Sequence, residues 1–379
     1  MTDNNHRARP SILFLFSDTG GGHRSATEAV IEALHLEFGE RIQAVMVDIF
    51  KEYAPLPLNR IPQLYPHMVR APRAWGLGFR LSDGYRRSHL MTAGAWPYVR
   101  NRIRKLVQQH ASDLVVSVHP LAISPVLKAL GANRPPFITL VTDLVSTHAL
   151  WYDRRTDLCL VPTQMARQRA LEFGLRPDQV QVVGLPVADD FCHPAADKKL
   201  LRARLGWPEA LPVILLVGGG EGMGPLGEIS EAIAAAHLPV ALAIITGRNK
   251  DLKAHLEARK WDGPTFIYGF MRNMPDLMRA ADVLVTKAGP GTISEAFNAG
   301  LPLILYSRLP GQEDGNVTYV TARGAGVWAP KPEKVVATIK TWLKHPEERQ
   351  KATEASKRLA RPEAARVIAR ILAQELGVE

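Results

Sequence analysis

The first strand and turn of the chain read Ser11-Ile-Leu-Phe-Leu-Phe-Ser-Asp-Thr-Gly-Gly-Gly-His23, an apolar run that ends in three consecutive glycines. About 200 residues later, the same order of strand and glycine-rich turn occurs in Val213-Ile-Leu-Leu-Val-Gly-Gly-Gly-Glu-Gly-Met-Gly224. Such a turn places free backbone amides and a helix N-terminus at the carboxyl edge of a buried parallel sheet, where anionic ligands bind. Two such turns in one chain predict two nucleotide-binding-type domains that face each other across a central cleft.

The composition is typical of a globular protein with two domains. A chain of 379 residues with 46% apolar and 22% charged residues is too long for one ordinary core and too apolar for disorder. No apolar run reaches the length of a membrane span, and we expect no signal peptide. Cys159 and Cys192 have no metal-ligand spacing and fit a reducing cytoplasm. The formal charge of +10 favours anionic partners.

Predicted strands and helices alternate in both halves of the chain, which is typical of βαβ units and a parallel sheet. We assign residues 1–186 to a first Rossmann-like domain and residues 187–355 to a second, with a proline-flanked connection over residues 185–194. Residues 356–379 are predicted to form a carboxy-terminal helix. The alternation breaks over residues 51–103, which are rich in proline, aromatic residues and arginine.

A candidate proton acceptor follows the first glycine turn. His23 stands at the start of the predicted helix, and Asp18 ends the strand five residues earlier. An imidazole can take a proton from a hydroxyl group at neutral pH, and a carboxylate can orient it or stabilise its charged form. His119 and Asp143 also end strands at this edge, where either could contact an acceptor hydroxyl or orient His23. The structural alternative is that all four residues start or cap helices.

A second group of candidates lies in Val283-Leu-Val-Thr-Lys-Ala-Gly-Pro-Gly-Thr-Ile-Ser-Glu295. Thr292 can cap the predicted helix, whose free amides can bind a diphosphate without a metal. Glu295 lies one turn inside, where a carboxylate can accept both hydroxyls of a ribose. The loop Leu309-Pro-Gly-Gln-Glu-Asp-Gly-Asn316 supplies polar side chains that suit a hexose, unless it is an ordinary surface loop. Arg248 could reach the diphosphate or occupy a turn.

Motifs of several other enzyme classes are absent from the sequence. There is no Asp-x-Asp clamp for a metal-bound nucleotide sugar, no Gly-x-x-x-x-Gly-Lys-Ser/Thr phosphate loop and no Gly-x-Ser-x-Gly elbow. Thr246-Gly-Arg248, rather than an acidic residue, ends the strand that follows the second glycine turn. We therefore do not expect a hydride-transfer enzyme.

A series of ordered motifs resembles one enzyme family. The segment Ser17-Asp-Thr-Gly-Gly-Gly-His-Arg-Ser-Ala26 resembles the amino-terminal signature of monogalactosyldiacylglycerol synthases and bacterial diacylglycerol glucosyltransferases. Further matching segments follow in the same order: Ser117-Val-His-Pro-Leu121, Val141-Thr-Asp-Leu-Val-Ser-Thr-His148 with Trp151, Val183-Gly-Leu-Pro-Val187, Thr286-Lys-Ala-Gly-Pro-Gly-Thr-Ile-Ser-Glu295 and Pro310-Gly-Gln-Glu-Asp-Gly-Asn316. The chain is more distantly similar to the enzyme that adds N-acetylglucosamine to lipid-linked peptidoglycan precursor.

The resemblance implies an α/β protein of the GT-B fold, with a lipid acceptor on the first domain and a UDP-sugar on the second. It implies inversion at the anomeric carbon, no metal or other cofactor, a last helix that returns to the first domain, and peripheral (monotopic) attachment to the cytoplasmic face of a membrane. The residues assigned to the donor are Gly219, Gly220, Arg248, Phe270, Met271, Gly289, Gly291, Thr292, Glu295, Gln312, Glu313 and Asn316. Those assigned to the acceptor are Gly21, Gly22, His119 and Asp143, and the catalytic pair is His23 with Asp18.

The proline-rich segment 51–104 acquires a role from this resemblance. Aromatic side chains settle at the headgroup boundary of a membrane while arginines contact lipid phosphates. The residues assigned to this contact are Trp75, Phe79, Arg80, Tyr85, Arg86 and Arg87. The alternatives are an ordinary solvated segment and nucleic-acid binding, but the chain has no RNA- or DNA-binding motif, so we expect no nucleic-acid partner.

The predicted reaction is a single displacement on a UDP-hexose. His23, assisted by Asp18, removes the proton of the sn-3 hydroxyl of 1,2-diacylglycerol as the diphosphate leaves. Galactose is favoured over glucose because the Thr-Asp-Leu and Gly-Gln-Glu-x-Gly-Asn motifs are nearest those of the galactosyl synthases. The alternatives are transfer of N-acetylglucosamine to a polyprenyl-linked peptidoglycan precursor and a non-catalytic protein that binds a nucleotide sugar or a lipid.

Overall fold

The computed structural model describes residues 9–19, 21–69, 71–193, 197–222 and 224–379. Gly20, Arg70, Pro194 and Met223, which belong to the stretches discussed above, lie outside the described residues. The described chain forms two compact units. The amino-terminal unit comprises the described residues up to Met68, Gly78–Asp189 and Glu363–Glu379, and the carboxy-terminal unit comprises those of 69–77 and 190–362.

The helices and strands follow one another in a βα order in both units. In chain order they are β1 (Ser11–Phe16), α1 (Gly22–Phe38), β2 (Gln43–Asp48), α2 (Ile49–Tyr53), α3 (Ile61–Met68), α4 (Pro72–Ser82), α5 (Tyr85–Gln109), β3 (Leu114–Ser117), α6 (Pro120–Leu130), β4 (Phe137–Leu140), β5 (Leu158–Val161), α7 (Gln164–Glu172), β6 (Val180–Val182), α8 (Lys198–Leu205), β7 (Val213–Val217), α9 (Leu226–Ala235), β8 (Ala241–Ile245), α10 (Lys250–Glu257), β9 (Thr265–Tyr268), α11 (Met274–Ala280), β10 (Val283–Lys287), α12 (Pro290–Asn298), β11 (Leu303–Ser307), α13 (Asp314–Ala322), β12 (Gly326–Trp328), α14 (Pro332–Lys344), α15 (Pro346–Leu359) and α16 (Ala364–Glu375).

The amino-terminal unit is built on a parallel sheet of order β2-β1-β3-β4-β5-β6. Ile12 of β1 pairs with Ala44 on one side and Leu114 on the other. Both faces of β1 are covered, since alternate side chains enter two different apolar clusters. This explains why the strand reads as a continuous apolar run. The connection after β1 runs to one side of the sheet and later strands extend to the other, so the loops after β1 and β3 meet at a switch point.

The carboxy-terminal unit repeats this design with the order β12-β11-β10-β7-β8-β9. All strand pairs are parallel, and the switch point lies between β7 and β10. The glycine-rich turn after β7 and the turn into α12 therefore lie side by side. The strands β7 and β10 begin at Val213 and Val283, where the quoted apolar runs begin, whereas β12 was not predicted.

Helices occupy the segment in which the predicted alternation breaks. The sequence analysis did not predict α2 to α5; α3, α4 and α5 contain prolines, and α2 is only five residues long. Pro62 and Pro72 lie in the first turns of α3 and α4, where the missing N–H has no intrahelical partner in any case. Pro97 lies inside α5, which nevertheless extends over 25 residues.

The carboxy-terminal helical segment divides into two helices. The chain leaves the helical conformation between α15 and α16, at residues 360–363, where Pro362 interrupts it. α16 packs in the amino-terminal unit, where Ile368 and Leu372 are fully buried in the cluster of β1 and α1. Arg370 also binds Glu37 of α1 through two hydrogen bonds of 2.7 and 2.8 Å. The end of the chain thus completes the unit in which the chain begins.

Candidate active site

The switch point of the amino-terminal unit gathers polar side chains from three loops. His23 is the second residue of α1, and its ring lies edge-on to that of His119, with 4.8 Å between the centroids. The Nδ1 atom of His23 is 2.7 Å from Oγ1 of Thr142, which follows β4. Gly21 precedes the helix with a φ of 80°, and a Cβ at Gly21 or Gly22 would meet no described atom within 4 Å. The backbone beside His23 is therefore open to a ligand.

Burial keeps His23 uncharged. Desolvation lowers the pKa of His23 to about 4, and a backbone hydrogen bond to Val118 offsets only part of this effect. At neutral pH the ring is therefore neutral, so one of its two nitrogens carries no proton. If Nδ1–H donates to the Thr142 hydroxyl, that accepting nitrogen is Nε2.

His119 is also buried and neutral. Burial and the neighbouring His23 hold the pKa of His119 well below its usual range. Its Nδ1 accepts a hydrogen bond from the N–H of Leu121 at 3.3 Å, which places the proton on Nε2. Nε2 lies 3.5 Å from Oγ1 of Thr19 in the glycine turn. His119 therefore caps α6, as the structural interpretation predicts. It also lies against His23, as the functional interpretation predicts.

Asp18 binds Arg24 rather than His23. Its two carboxylate oxygens accept hydrogen bonds of 3.0 and 3.1 Å from the guanidinium, and its N–H donates to Asp48 at 3.1 Å. The first turn of α1 directs Arg24 towards the end of β1, while His23 turns towards the loop after β4. The group beside His23 is therefore the Thr142 hydroxyl, which the sequence analysis did not select.

Asp143 binds the indole of Trp151, and that ring lies near His23. Its Oδ2 accepts a hydrogen bond of 2.7 Å from Nε1 of Trp151, and both side chains are buried. The Trp151 ring lies 6.0 Å from the ring of His23. Asp143 thus orients an aromatic wall of the site, and the structure brings His23, His119 and Asp143 into one cluster as the sequence predicted from the strand ends.

The switch point of the carboxy-terminal unit is formed from glycine backbone. A Cβ at Gly222 would lie 2.1 Å from the carbonyl oxygen of Thr246, and one at Gly247 would lie 2.4 Å from that of Gly220. Both glycines also have a φ close to 60°, so larger side chains are excluded on two grounds. The N–H of Arg248 donates to the Gly220 carbonyl at 2.9 Å, which joins the loops after β7 and β8.

Arg248 and Phe270 form a half-open surface beside this loop. The guanidinium binds Glu221 at 2.7 Å and lies over the Phe270 ring at 4.8 Å. The Phe270 side chain is 54% exposed, and Met271 follows it in a half-buried position. An exposed aromatic face beside a cation is suited to a planar heterocycle.

Glu295 carries a carboxyl group that lacks a hydrogen-bond partner among the described residues. α12 begins after Gly289, so the amides of Gly291 and Thr292 lie in its first turn. Glu295 follows on the same helix, half-buried, and within the described part of the chain no side chain or backbone group hydrogen-bonds its carboxyl. Desolvation raises the pKa of Glu295 to about 7. Such a group can accept hydrogen bonds from ligand hydroxyls.

The loop over residues 309–316 is held from inside the unit. Glu313 accepts hydrogen bonds from Nζ of Lys287 at 2.8 Å and from the N–H of Leu309 at 2.7 Å. Asn316 is buried and donates to the carbonyl of Ala288 at 2.9 Å. Both side chains thus fix the loop against the turn into α12, whereas Gln312 is half-buried. The sequence analysis did not single out Lys287, although it lies at a strand end within a recognised motif.

No cluster of three or more His, Cys, Asp or Glu side chains that could hold a metal ion occurs among the described residues. No helix in the described ranges is both long and apolar enough to cross a bilayer.

The segment assigned to membrane contact presents leucines and arginines to solvent. Phe79 packs against His148 and Tyr85 against Arg154, so these two rings and that of Trp75 are only half-exposed. The exposed members of the assigned set are Arg80, Arg86 and Arg87. Among the described residues, eight of the twelve exposed large apolar side chains fall in this segment: Leu56, Leu64, Met68, Leu77, Leu81, Leu90, Met91 and Tyr98. Exposed apolar side chains are therefore more frequent in this segment than in the rest of the described chain.

We expect His23 to stay neutral well below the usual histidine range. Its ring carbon resonance, assigned with His23→Gln, should titrate near pH 4 in the folded protein. The unfolded chain binds this proton near pH 6.5, so His23 lowers the free energy of unfolding as the pH falls from about 6.5 towards 4. A ring that titrates near pH 6.5 in the folded protein would contradict the desolvated site.

Two family models match the chain in succession. Residues 23–187 match the model described as monogalactosyldiacylglycerol (MGDG) synthase. Residues 213–369 match the model described as glycosyltransferase family 28 C-terminal domain. The first match includes the His23 cluster, and the second includes the glycine-rich edge with Glu295.

Curated plant proteins are similar over most of the chain. A rice protein (Oryza sativa subsp. japonica) named probable monogalactosyldiacylglycerol synthase 2, chloroplastic, is 38% identical over 370 residues, which are 94% of this chain and 79% of the rice protein. Monogalactosyldiacylglycerol synthase 3, chloroplastic, of Arabidopsis thaliana is 37% identical over 368 residues, with 93% and 79% covered.

Solved structures of the same fold are more distant in sequence. MurG of Acinetobacter baumannii matches with a TM-score of 0.62 and 16% identity over 96% of this chain and 99% of MurG. HepE of Anabaena in complex with UDP-glucose matches with a TM-score of 0.57 and 16% identity, covering 96% and 99%. These matches establish a GT-B fold. Taken with the plant relatives and the two family models, they show that this chain is a glycosyltransferase that belongs to the monogalactosyldiacylglycerol synthase family.

Proposed function

We propose that the protein transfers galactose from UDP-galactose to the sn-3 hydroxyl of 1,2-diacylglycerol. The observation that carries this proposal is the neutral His23 beside an open glycine turn, in a chain whose plant relatives are named monogalactosyldiacylglycerol synthases. Those names favour galactose over glucose as the transferred sugar. The lipid hydroxyl is a weak nucleophile, so the reaction requires a general base that is unprotonated at neutral pH.

The carboxy-terminal unit supplies the groups that a UDP-sugar requires. The Glu295 carboxyl, which has no protein partner among the described residues, accepts the ribose hydroxyls. The first-turn amides of α12 and the glycine turn after β7 bind the diphosphate, and Arg248 lies beside them. Phe270 and Met271 pack against the uracil. Gln312 contacts the hexose, while the buried Glu313 and Asn316 hold its loop in place.

The amino-terminal unit supplies the base. Nε2 of His23 takes the proton of the diacylglycerol hydroxyl as its oxygen bonds to the anomeric carbon and the bond from that carbon to the diphosphate oxygen breaks. The Thr142 hydroxyl fixes the ring through Nδ1, a role that the sequence analysis gave to Asp18. Asp18 instead supports the turn through Arg24. His119 and Asp143 shape the acceptor side, the latter through Trp151.

Preorganised amides stabilise the leaving group in this proposal. A helix N-terminus and backbone donors aimed at a developing negative charge contribute a few kcal/mol in comparable sites. We propose on this basis that the enzyme works without a metal or other cofactor.

Membrane contact follows from the lipid acceptor. We propose that Leu81 and Leu90 enter the headgroup boundary while Arg80, Arg86 and Arg87 contact anionic lipid phosphates. This surface supports peripheral attachment, which we place at the cytoplasmic face of a membrane. The aromatic side chains that the sequence analysis assigned to the contact, Trp75, Phe79 and Tyr85, are half-buried.

We expect the purified protein to convert diacylglycerol in anionic liposomes to a galactolipid in the presence of a chelator. UDP-galactose and UDP-glucose are offered separately, and labelled glycolipid is measured. His23→Ala should bind UDP as the parent does and lose at least about a hundredfold in turnover, because it lacks the base. His35→Ala, which removes an exposed histidine from the same helix, is the matched control and should keep full turnover.

Three results would contradict parts of this proposal. Product formed only from lipid-linked peptidoglycan precursor and UDP-N-acetylglucosamine would reassign the acceptor. Tight donor binding with no product from any acceptor would indicate a non-catalytic binding protein. Normal turnover by His23→Ala would exclude this residue as the base.

We expect uridine to bind more tightly at pH 8 than at pH 6. Ribose hydroxyls donate to the ionised carboxylate, and the pKa of Glu295 near 7 means that binding at pH 6 must first displace a proton. The difference should be about tenfold and is measured by calorimetry, with uridine as the probe because it carries no phosphate. Glu295→Gln should weaken binding and abolish the pH dependence. Equal affinity of the parent protein at both pH values would remove Glu295 from the ribose site.

A further inference from the structure

Lys287 is a largely buried cation at the end of β10. Its side chain is 17% exposed, and its Nζ forms an ion pair of 2.8 Å with Oε1 of Glu313, whose side chain is 4% exposed. The other oxygen of Glu313 accepts the N–H of Leu309. The pair therefore joins the end of β10 to the loop over residues 309–316.

The glycines around Lys287 leave its ammonium close to both turns of the switch point. A Cβ at Gly289 would lie 2.9 Å from Nζ, and a Cβ at Gly219 would lie 3.2 Å from Cε. Gly219 belongs to the turn after β7, and Gly289 is the residue before α12. The end of the Lys287 side chain thus lies between the two sets of backbone amides, in space that a larger residue at either glycine would occupy.

The protein satisfies only part of the hydrogen-bonding capacity of this ammonium. An ammonium has three N–H donors, and Glu313 is the single acceptor that Nζ has among the described residues. Burying a charged group whose donors lack partners is costly. A cation retained there, beside two helix-opening turns, indicates that an anion completes its coordination.

We propose that Lys287 binds the diphosphate of the nucleotide-sugar donor and stabilises its charge as it leaves, with Glu313 holding the ammonium in position. This inference rests on the proposed function, because it assigns a further catalytic residue to the same donor site. Charge-assisted hydrogen bonds to phosphate are about twice as strong as neutral ones. The backbone amides carry only partial charges, and the ammonium adds a full positive charge. Glu313 also joins this phosphate contact to the loop that carries Gln312.

The test compares the affinities of UDP and uridine, which share every contact except those of the diphosphate. Lys287→Met should weaken UDP binding about ten- to a hundredfold and leave uridine within about twofold, as measured by calorimetry. The turnover of a nucleotide-sugar should fall with it. Lys340→Met, which removes an exposed lysine on α14, is the control and should change neither affinity.

A second variant keeps the test valid if the unpaired Glu313 disturbs the fold of Lys287→Met. Lys287→Met with Glu313→Gln removes both buried charges, and its folding is checked by circular dichroism. It should lose the preference for UDP over uridine to the same extent. An unchanged UDP-to-uridine ratio in a folded variant, while the parent protein prefers UDP, would overturn the role of Lys287 alone. A parent protein that binds neither compound would overturn the proposed function and the role of Lys287 with it.

Discussion

The close approach of the loops after β7 and β8 is the constraint on which the switch point of the carboxy-terminal unit depends. The turn after β7 approaches the loop after β8 so tightly that a Cβ at Gly222 or Gly247 would collide with a carbonyl oxygen. Backbone packed this closely cannot shift to suit a ligand, so its free amides are oriented before any ligand arrives. Lys287 and Glu313 extend the same rigidity to the loop over residues 309–316.

The edge of the amino-terminal sheet that carries His23 has a different chemistry. Among the described residues no carboxylate pairs with His23; its Nδ1 lies beside the hydroxyl of Thr142, and burial keeps the ring neutral. A neutral ring imposes no charge on an apolar lipid that approaches it, whereas a histidine–aspartate pair would carry one. The edge of the carboxy-terminal sheet therefore combines backbone donors with paired cations, and the edge of the amino-terminal sheet presents an uncharged histidine with aromatic and glycine surroundings.

The sequence predicts the backbone of both edges and only part of their side-chain contacts. Strands β1 and β7 follow from apolar runs that end in glycine-rich turns. The parallel topology of each sheet then brings the turn to the switch point of that sheet. His23 and His119 reach the switch point of the amino-terminal unit in this way, and Glu295 reaches that of the carboxy-terminal unit. Spacing along the chain does not decide which way a side chain turns. Asp18 lies five residues from His23 but binds Arg24, and Thr142, 119 residues away, reaches the ring. The helices α3 and α4 were missed because a proline in a first turn cannot be recognised as such until the helix start is known.

The central claim is that one displacement, with His23 as the base, forms the glycosidic bond. The configuration at the anomeric carbon of the product tests it most directly. Nuclear magnetic resonance of the glycolipid formed from an α-linked UDP-hexose should show a β-linked sugar, because attack from the side opposite the diphosphate inverts the centre once. An α-linked product would show retention, which a single displacement cannot give, and would contradict the assignment of His23 as the base of a one-step transfer.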